Sequence, residues 1–185
     1  MSLKLNSSGG GSITLQEPST ASNRTLTLPD NTGNLISSAD SGTVSQAMLA
    51  SNVAGTGPAF RAYMSSAQTI TGLTFTKLQF NTEVFDTASC YDTATYRFTP
   101  NVAGYYQVSA ATYFAATAQL YIYKNGSANM TGPYLNSTGH SILGLVYLNG
   151  TTDYIECYYF GSANVTTSNN NEFANIFWAS LVGSA

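Results

Sequence analysis

Histidine is the side chain that most often moves protons in catalysis, and this chain of 185 residues has one, His140. Serines are numerous, so a Ser-His-Asp arrangement is conceivable, but no Gly-x-Ser-x-Gly elbow surrounds any of them. A catalytic histidine also requires a nucleophile and an orienting carboxylate within hydrogen-bond reach, and no spacing in the chain supplies them. We therefore predict that His140, at the start of an apolar run, is a structural or surface residue.

Cys90 and Cys157 could join His140 as zinc ligands, because zinc prefers thiolate and imidazole groups. The three residues lack the close-paired spacing of a zinc site, so we predict no metal and no cofactor. Two cysteines are also too few for a disulfide framework. Their positions in strand-like segments predict small buried side chains, and synthesis in a reducing cytosol predicts free thiols.

Three carboxylates, Glu83, Asp86 and Asp92, lie close together in the sequence, where a glycosidase pair or a calcium site is conceivable. The Asp-x-Asp-x-Asp-Gly calcium loop is absent, and Asp86 is more simply a turn residue whose carboxylate bonds the local backbone. Nine acidic residues and one histidine are also sparse for a convergent active site. We predict that the protein is not an enzyme, and a glycan hydrolase is only our third hypothesis.

The elements that position these residues are predicted to be strands. With 13 Tyr, 9 Phe and 16 Gly but only 8% charged residues, the chain is typical of an all-β protein. The net charge of −3 and the lack of a Lys/Arg cluster argue against nucleic-acid binding. No apolar run is long enough to span a bilayer, and the first residues lack a signal-peptide core, so we expect no membrane insertion and synthesis in the cytoplasm.

Eight runs of strand-forming residues, each bounded by Gly, Pro, Asn or Asp, predict a two-sheet sandwich from residue 58 onward. These runs are 59–64, 74–80, 95–99, 104–114, 119–124, 141–148, 153–160 and 172–182. The pairs Asn125-Gly126 and Asn149-Gly150 lie between such runs, where a tight hairpin requires positive φ at both central residues.

Six positions within this pattern carry a family resemblance. They are Phe80, Asp86, Tyr91, Phe98, Gly104 and Tyr106. Their spacing resembles the signature of the globular heads of complement component one q, which share a trimeric jelly roll with the tumour necrosis factor family. Val108 and Ala110 depart from the pattern, because the family usually has aromatic residues there. The resemblance covers residues 58–185 and implies an all-β jelly-roll β-sandwich head that assembles as a homotrimer.

The strand pattern itself also predicts an oligomer. A strand of a monomeric sandwich alternates apolar and polar residues, but Leu143, Leu145 and Tyr147 lie on the face opposite to a second apolar set. That second set is Ile142, Val146 and Leu148. Because exposed apolar patches of this extent are rare on soluble monomers, we expect another subunit to cover one face. The alternative is a larger core buried within one subunit.

The residues before the head differ in character. Residues 1–38 contain short alternating runs and turn signals but too few apolar residues to bury a core alone, which predicts a β-rich attachment segment. Residues 19–29 and 33–35 resemble repeats in bacteriophage tail-fibre and virion proteins. Residues 39–57 offer one or two helical turns with a narrow apolar stripe, so we predict a linker or short helical neck, with a disordered linker as the alternative.

Two polar segments, 127–139 and 161–171, are rich in Asn, Ser, Thr and Gly around Met130, Tyr134 and Val165. Such segments can offer hydrogen bonds and a stacking ring to a glycan, so we predict a binding role for these three residues. The resulting hypothesis is a fibre protein of a phage virion whose head binds a host-cell surface glycan or protein, while residues 1–38 attach to another virion protein. The rival hypothesis is a structural capsid decoration or head fibre.

Overall fold

The computed structural model describes residues 2–6, 8–16, 57–167 and 173–184. The chain divides into two units, Met1–Asp40 and Ser41–Ala185. The first unit contains an antiparallel hairpin of β1 (Ser2–Asn6) and β2 (Ser12–Gln16). One of the short alternating runs noted within residues 1–38, residues 12–15, is therefore present in β2. The phage-like repeats and the predicted neck up to residue 56 lie outside the described residues.

The described part of the second unit is all strand and loop. Its strands are β3 (Ala59–Tyr63), β4 (Thr69–Ile70), β5 (Thr76–Lys77), β6 (Thr82–Asp86), β7 (Tyr91–Asp92), β8 (Arg97–Phe98), β9 (Ala103–Lys124), β10 (Ser127–Thr131), β11 (Leu135–Asn149), β12 (Ile155–Gly161), β13 (Val165–Thr166) and β14 (Ile176–Ser184). Ten of these strands form one antiparallel sheet, and β4 pairs separately with β13. The architecture is an all-β jelly roll, as predicted.

Strand β9 belongs to both layers of the jelly roll. Its first half pairs with β14 and its second half with β12, while β11 and β10 follow its other edge. We call β6, β3, β14, the first half of β9 and β11 the front layer. The back layer contains β7, β8, β12, the second half of β9 and β10, with β5 also paired to β12. Every second residue of β9 from Gly104 to Ile122 is buried except Ala116, which is partly buried, so both layers enclose the same core.

The unbroken course of β9 corrects the prediction of two separate strands, 104–114 and 119–124. Between Ser109 and Ala118 the strand has five alanines, and these small side chains leave room for the bend by which a strand passes from one layer to another. The gap between the two predicted strands, residues 115–118, is Ala-Ala-Thr-Ala, and alanine is a poor strand former. Hydrogen-bonded neighbours on both edges keep it extended instead.

Aromatic rings fill the core. The ring of Phe60 stacks on Tyr91 at a centroid distance of 4.5 Å and on Phe98 at 4.6 Å, and meets Phe177 edge-on at 5.0 Å. Contacts of this kind contribute about 0.5–1.5 kcal/mol each beyond the area that they bury. Phe98 also contacts Tyr106 at 5.5 Å, so the family-signature aromatics form one connected cluster with Phe60.

Hydrogen bonds of the signature residues fix the loops around this core. Asp86 accepts from the backbone N–H groups of Ala88 at 3.1 Å and Tyr91 at 2.7 Å, which confirms its predicted role in a turn. The Tyr91 hydroxyl donates to the carbonyl of Phe80 at 2.7 Å. Tyr106, another signature residue, makes a similar hydrogen bond: its hydroxyl donates to the carbonyl of Val102, four residues earlier, at 2.8 Å.

The two Asn-Gly pairs form different connections. Asn125 and Gly126 have φ values of 52° and 79°, as a tight hairpin between β9 and β10 requires. Gly150 has a φ of 71°, but Asn149 is the last residue of β11, and a longer loop leads to β12. The side-chain oxygen of Asn149 accepts hydrogen bonds from the backbone N–H groups of residues 151, 152 and 153 at 2.9–3.0 Å. The prediction of a two-residue hairpin is therefore wrong at this position.

Candidate binding surfaces

The outward face of the front layer is apolar. Leu143 and Leu145 of β11 are 62% and 61% exposed. Beside them, Tyr147 lies opposite Tyr105 of β9, with ring centroids 5.6 Å apart. Alternate residues of the same strands are buried in the core, so these strands are apolar on both faces, as the sequence predicted.

A concavity of about 450 Å³ lies on this same face, across β6, β3 and β14. The strand register places Arg61 between Phe85 and Trp178, and all three side chains line the concavity together with Ile176. The aromatic surface of Phe85 is half exposed there. The front face therefore combines projecting leucine and tyrosine side chains with a depression of matching apolar character.

His140 is buried in the structure. Its Nε2 lies 3.2 Å from the carbonyl oxygen of Ser137, and its ring stacks on Phe114 at 4.7 Å. Its Nδ1 and the hydroxyl of Thr112, the residue opposite it on β9, have no hydrogen-bond partner. These contacts support the prediction of a structural histidine.

Both cysteines are buried and free, as predicted. Burial raises the pKa of the Cys157 thiol, and it also raises the pKa of Cys90 despite a hydrogen bond from the backbone of Asn101. A raised pKa keeps a thiol protonated and unreactive. Within the described ranges, no three or more His, Cys, Asp or Glu side chains group in a way that could hold a metal ion.

The three predicted binding residues occupy unlike environments. Tyr134 lies between β10 and β11 and is 49% exposed. Met130 of β10 is partly buried against the core, and Val165 of β13 is buried. Of the three, Tyr134 alone presents a large side chain to solvent. Their role in binding stays a prediction.

The back layer carries an aromatic surface, of which the sequence indicated only Tyr121 and Tyr123, on the strand face opposite to Leu120 and Ile122. We call Phe75, Tyr121, Tyr123, Tyr158 and Phe160 the back-layer aromatic cluster. The Phe75 ring contacts Phe160 at 4.6 Å, Tyr121 at 5.2 Å and Tyr123 at 6.3 Å. Tyr123 stacks on Tyr158 at 4.1 Å. The alternation of Tyr121 and Tyr123 with buried residues was visible in the sequence, but the loop that brings Phe75 onto them was not.

A buried carboxylate with two partly exposed cationic partners borders the cluster. Glu156 faces outward on β12 yet is only 1% exposed, because Lys77 and Arg97 both bond its Oε1, the latter at 2.7 Å. The hydrogen bond to Glu156 raises the pKa of Arg97. The Arg97 guanidinium also lies 4.1 Å from the ring centre of Tyr154, a cation–π contact. Asp92 is the cross-strand neighbour of Arg97.

Comparisons with known proteins support the fold. Solved structures of similar fold include the Eiger tumour necrosis factor of S. frugiperda, with a TM-score of 0.52, 9% identity and coverage of 69% of this chain and 92% of that one. Murine APRIL gives a TM-score of 0.53 and 11% identity over 68% of this chain and 98% of its own. The globular domain of zebrafish complement 1qA aligns with 16% identity over 69% and 98% of the two chains, at a TM-score of 0.42.

The class of protein defined by the first two of these comparisons is a jelly roll similar to tumour necrosis factor, which confirms the predicted fold. Identities near 10% show the fold alone, and no protein-family model or curated protein matches the chain. The described residues contain no helix that is long and apolar enough to cross a membrane.

Proposed function

We propose that this chain is the subunit of a non-enzymatic, homotrimeric phage virion fibre whose jelly-roll head binds a receptor on the host-cell surface. The outward face of the front layer carries the assembly part of the proposal. A soluble protein rarely exposes adjoining side chains such as Leu143, Leu145, Tyr105 and Tyr147, and a second copy of the chain is the covering that the front face fits.

The number three comes from the resemblance to complement-type heads, and the jelly-roll fold supports it. In a ring of three copies each contact joins two different patches. The projecting side chains of β11 and the concavity around Trp178 are two such patches on one face. Residues 1–38 then attach the trimer to another virion protein, and several heads per particle turn weak single-site binding into firm adhesion.

Sedimentation velocity of the full chain tests the assembly. We expect a trimer at micromolar concentration, and Leu145→Asp should shift it to monomer because a charge would be buried in the contact. Leu73→Asp is the matched control, since Leu73 is an exposed leucine outside the front layer. A monomeric wild-type chain would refute the assembly part of the proposal.

Receptor binding is tested with fluorescently labelled full chain on susceptible host cells. Decoration of the cells supports an adhesin. The rival, a capsid decoration, predicts that labelled protein ignores cells of every susceptible strain but binds capsid shells. Cryo-electron microscopy of whole particles separates the two hypotheses independently, because a tail tip and a capsid axis imply different functions.

A further inference from the structure

The back-layer aromatic cluster lies on the face of the head opposite to the proposed subunit contact, so trimer formation leaves it accessible. Phe75 is 49% exposed although its ring touches three others, which places it at the outer surface of the cluster. Two residues earlier, Leu73 is 73% exposed and has a φ of 58°. A bulky residue rarely adopts this conformation, and strained backbone of this kind concentrates at binding sites.

The size of the surface selects the kind of partner. An aromatic side chain can bury about 200 Å², and because Phe75 is about half exposed and the other four rings about a third exposed or less, together they offer no more than about 400 Å². A stable protein–protein contact needs about 800 Å² from each partner. A surface half that size, made of rings in mutual contact, suits two or three sugar units better than a folded protein.

The charges beside the cluster indicate whether its ligand is charged or neutral. The two nearby cations, Lys77 and Arg97, are engaged by the carboxylate of Glu156, and Asp92 adds a second negative charge beside Arg97. Two positive and two negative charges leave no net field to attract a charged ligand. The polar groups within and beside the rings are tyrosine hydroxyls and the side-chain amide of Gln119, which donates to the Tyr121 hydroxyl.

We propose that the back-layer aromatic cluster binds an uncharged oligosaccharide of the host surface, with Phe75 as its central contact. The C–H faces of sugar rings pack against the negative faces of aromatic rings, and tyrosine hydroxyls and the Gln119 amide bond sugar hydroxyls. The inference deepens the proposed receptor binding and rests on it, because it names the site and the chemistry of the receptor. The inference places the receptor site on the back layer, opposite to the proposed subunit contact, and not in the loop around Tyr134.

An array of neutral and acidic oligosaccharides, probed with labelled full-length protein, tests the inference. We expect binding to neutral sugars and, by titration calorimetry with the best of them, a loss of about tenfold in affinity for Phe75→Ala, the size typical of a truncated aromatic contact. Phe75→Tyr should retain affinity because it keeps the ring. Tyr134→Ala tests the rival site that the loop composition predicted, and Phe173→Ala, at an exposed aromatic residue just before the front-layer strand β14, is the control that should leave affinity unchanged.

The outcomes separate this inference from the proposed function. Loss of affinity in Tyr134→Ala with none in Phe75→Ala overturns the back-layer site and leaves receptor binding intact. Preference for acidic sugars, or no array binding by a chain that still decorates host cells, also overturns it. A chain that decorates no host cells fails the proposed function itself. Thermal melting of each variant shows whether a loss of affinity reflects a loss of folding. If Phe75→Ala does not fold, the affinity of Phe75→Tyr decides: affinity equal to that of the wild type supports the inference, and a loss of affinity overturns it.

Discussion

At the scale of single residues, the head depends on side chains that combine a buried ring with one satisfied polar atom. Tyr106 is fully buried, contacts Phe98, and donates its hydroxyl to the carbonyl of Val102. Burial raises the pKa of Tyr106, so the hydroxyl stays protonated and keeps donating. Such a residue contributes through packing first and through its hydrogen bond second.

Truncating this ring should therefore separate the two contributions. We expect Tyr106→Ala to lower the free energy of unfolding by about 3–5 kcal/mol, the usual cost of removing a large buried side chain. Tyr106→Phe keeps the ring and should cost only about 1 kcal/mol for the lost hydrogen bond. Chemical denaturation of both variants measures the difference, and equal losses would show that the hydrogen bond stabilises the head more than the packing of the ring does.

Asp153 gives the head a specific sensitivity to acid. Burial alone would raise its pKa, but Lys124 at 2.8 Å, the Asn125 amide at 2.7 Å and the Asn149 N–H at 3.0 Å outweigh burial, so the pKa is lowered. A lowered folded-state pKa means that the carboxylate stabilises the fold fully above the ordinary aspartate pKa of about 3.9. That stabilisation is lost as the pH falls through the lowered value.

Denaturation curves measured from pH 7 down to pH 2 check this dependence. The stability advantage of the wild type over Asp153→Asn should be constant near neutral pH and shrink below about pH 4. Because other carboxylates titrate in the same range, the difference between the two proteins is the informative quantity. A difference that does not change with pH would show that Asp153 is not stabilised as a carboxylate.

At the scale of elements, turn chemistry decides how the strands connect. The hairpin between β9 and β10 needs positive φ at Gly126, while a Cβ there would meet only the Tyr154 hydroxyl, at an ordinary distance of 3.6 Å. A side chain at residue 126 would therefore cost free energy because of the positive φ and not because of a steric clash. We expect Gly126→Ala to destabilise the head by about 1–2 kcal/mol.

The matched control is Gly139→Ala in β11, where a Cβ meets nothing within 4 Å and no positive φ is required. Thermal melting of the two variants should show a clear loss for the first and little change for the second. If both variants melt like the wild type, the hairpin tolerates a left-handed alanine and positive φ does not require glycine at residue 126.

Sequence patterns captured most elements whose side chains alternate. The run at 59–64 appears as β3, and the run at 153–160 largely as β12. Strand β6 was missed because most of its residues are exposed, so no alternation marks it. The continuity of β9 through an alanine-rich stretch was also missed, because pairing with distant strands overrides local propensity there.

The candidate sites also differ in how far the sequence predicted them. The apolar front face was predictable, because a strand that is apolar on both faces is visible in sequence. The back-layer aromatic cluster was only half predictable. Its tyrosines alternate along β9, whereas Phe75 reaches them through a loop contact across the fold. The burial of Val165 likewise results from pairing between β13 and β4, two short strands far apart in the chain.

At the scale of the whole molecule, our proposals give the two layers separate tasks. The front layer presents the apolar face that we assign to contact between subunits, and the back layer presents the rings that we assign to the receptor. The few charged side chains of the head are consistent with this division, because Glu156 with its two cations and Asp153 with Lys124 act within the fold.

The continuity of β9 has a mechanical consequence. The strand has 22 residues, about 70 Å of extended backbone, and contributes Tyr121 and Tyr123 to the back-layer aromatic cluster near one end and Tyr105 to the outward face of the front layer near the other. If the head binds a host cell as we propose, a pull on the bound receptor would load this strand, and removing the strand would require the hydrogen bonds on both of its edges to break. In that proposal, tension passes through the longest strand of the head and not through its loops.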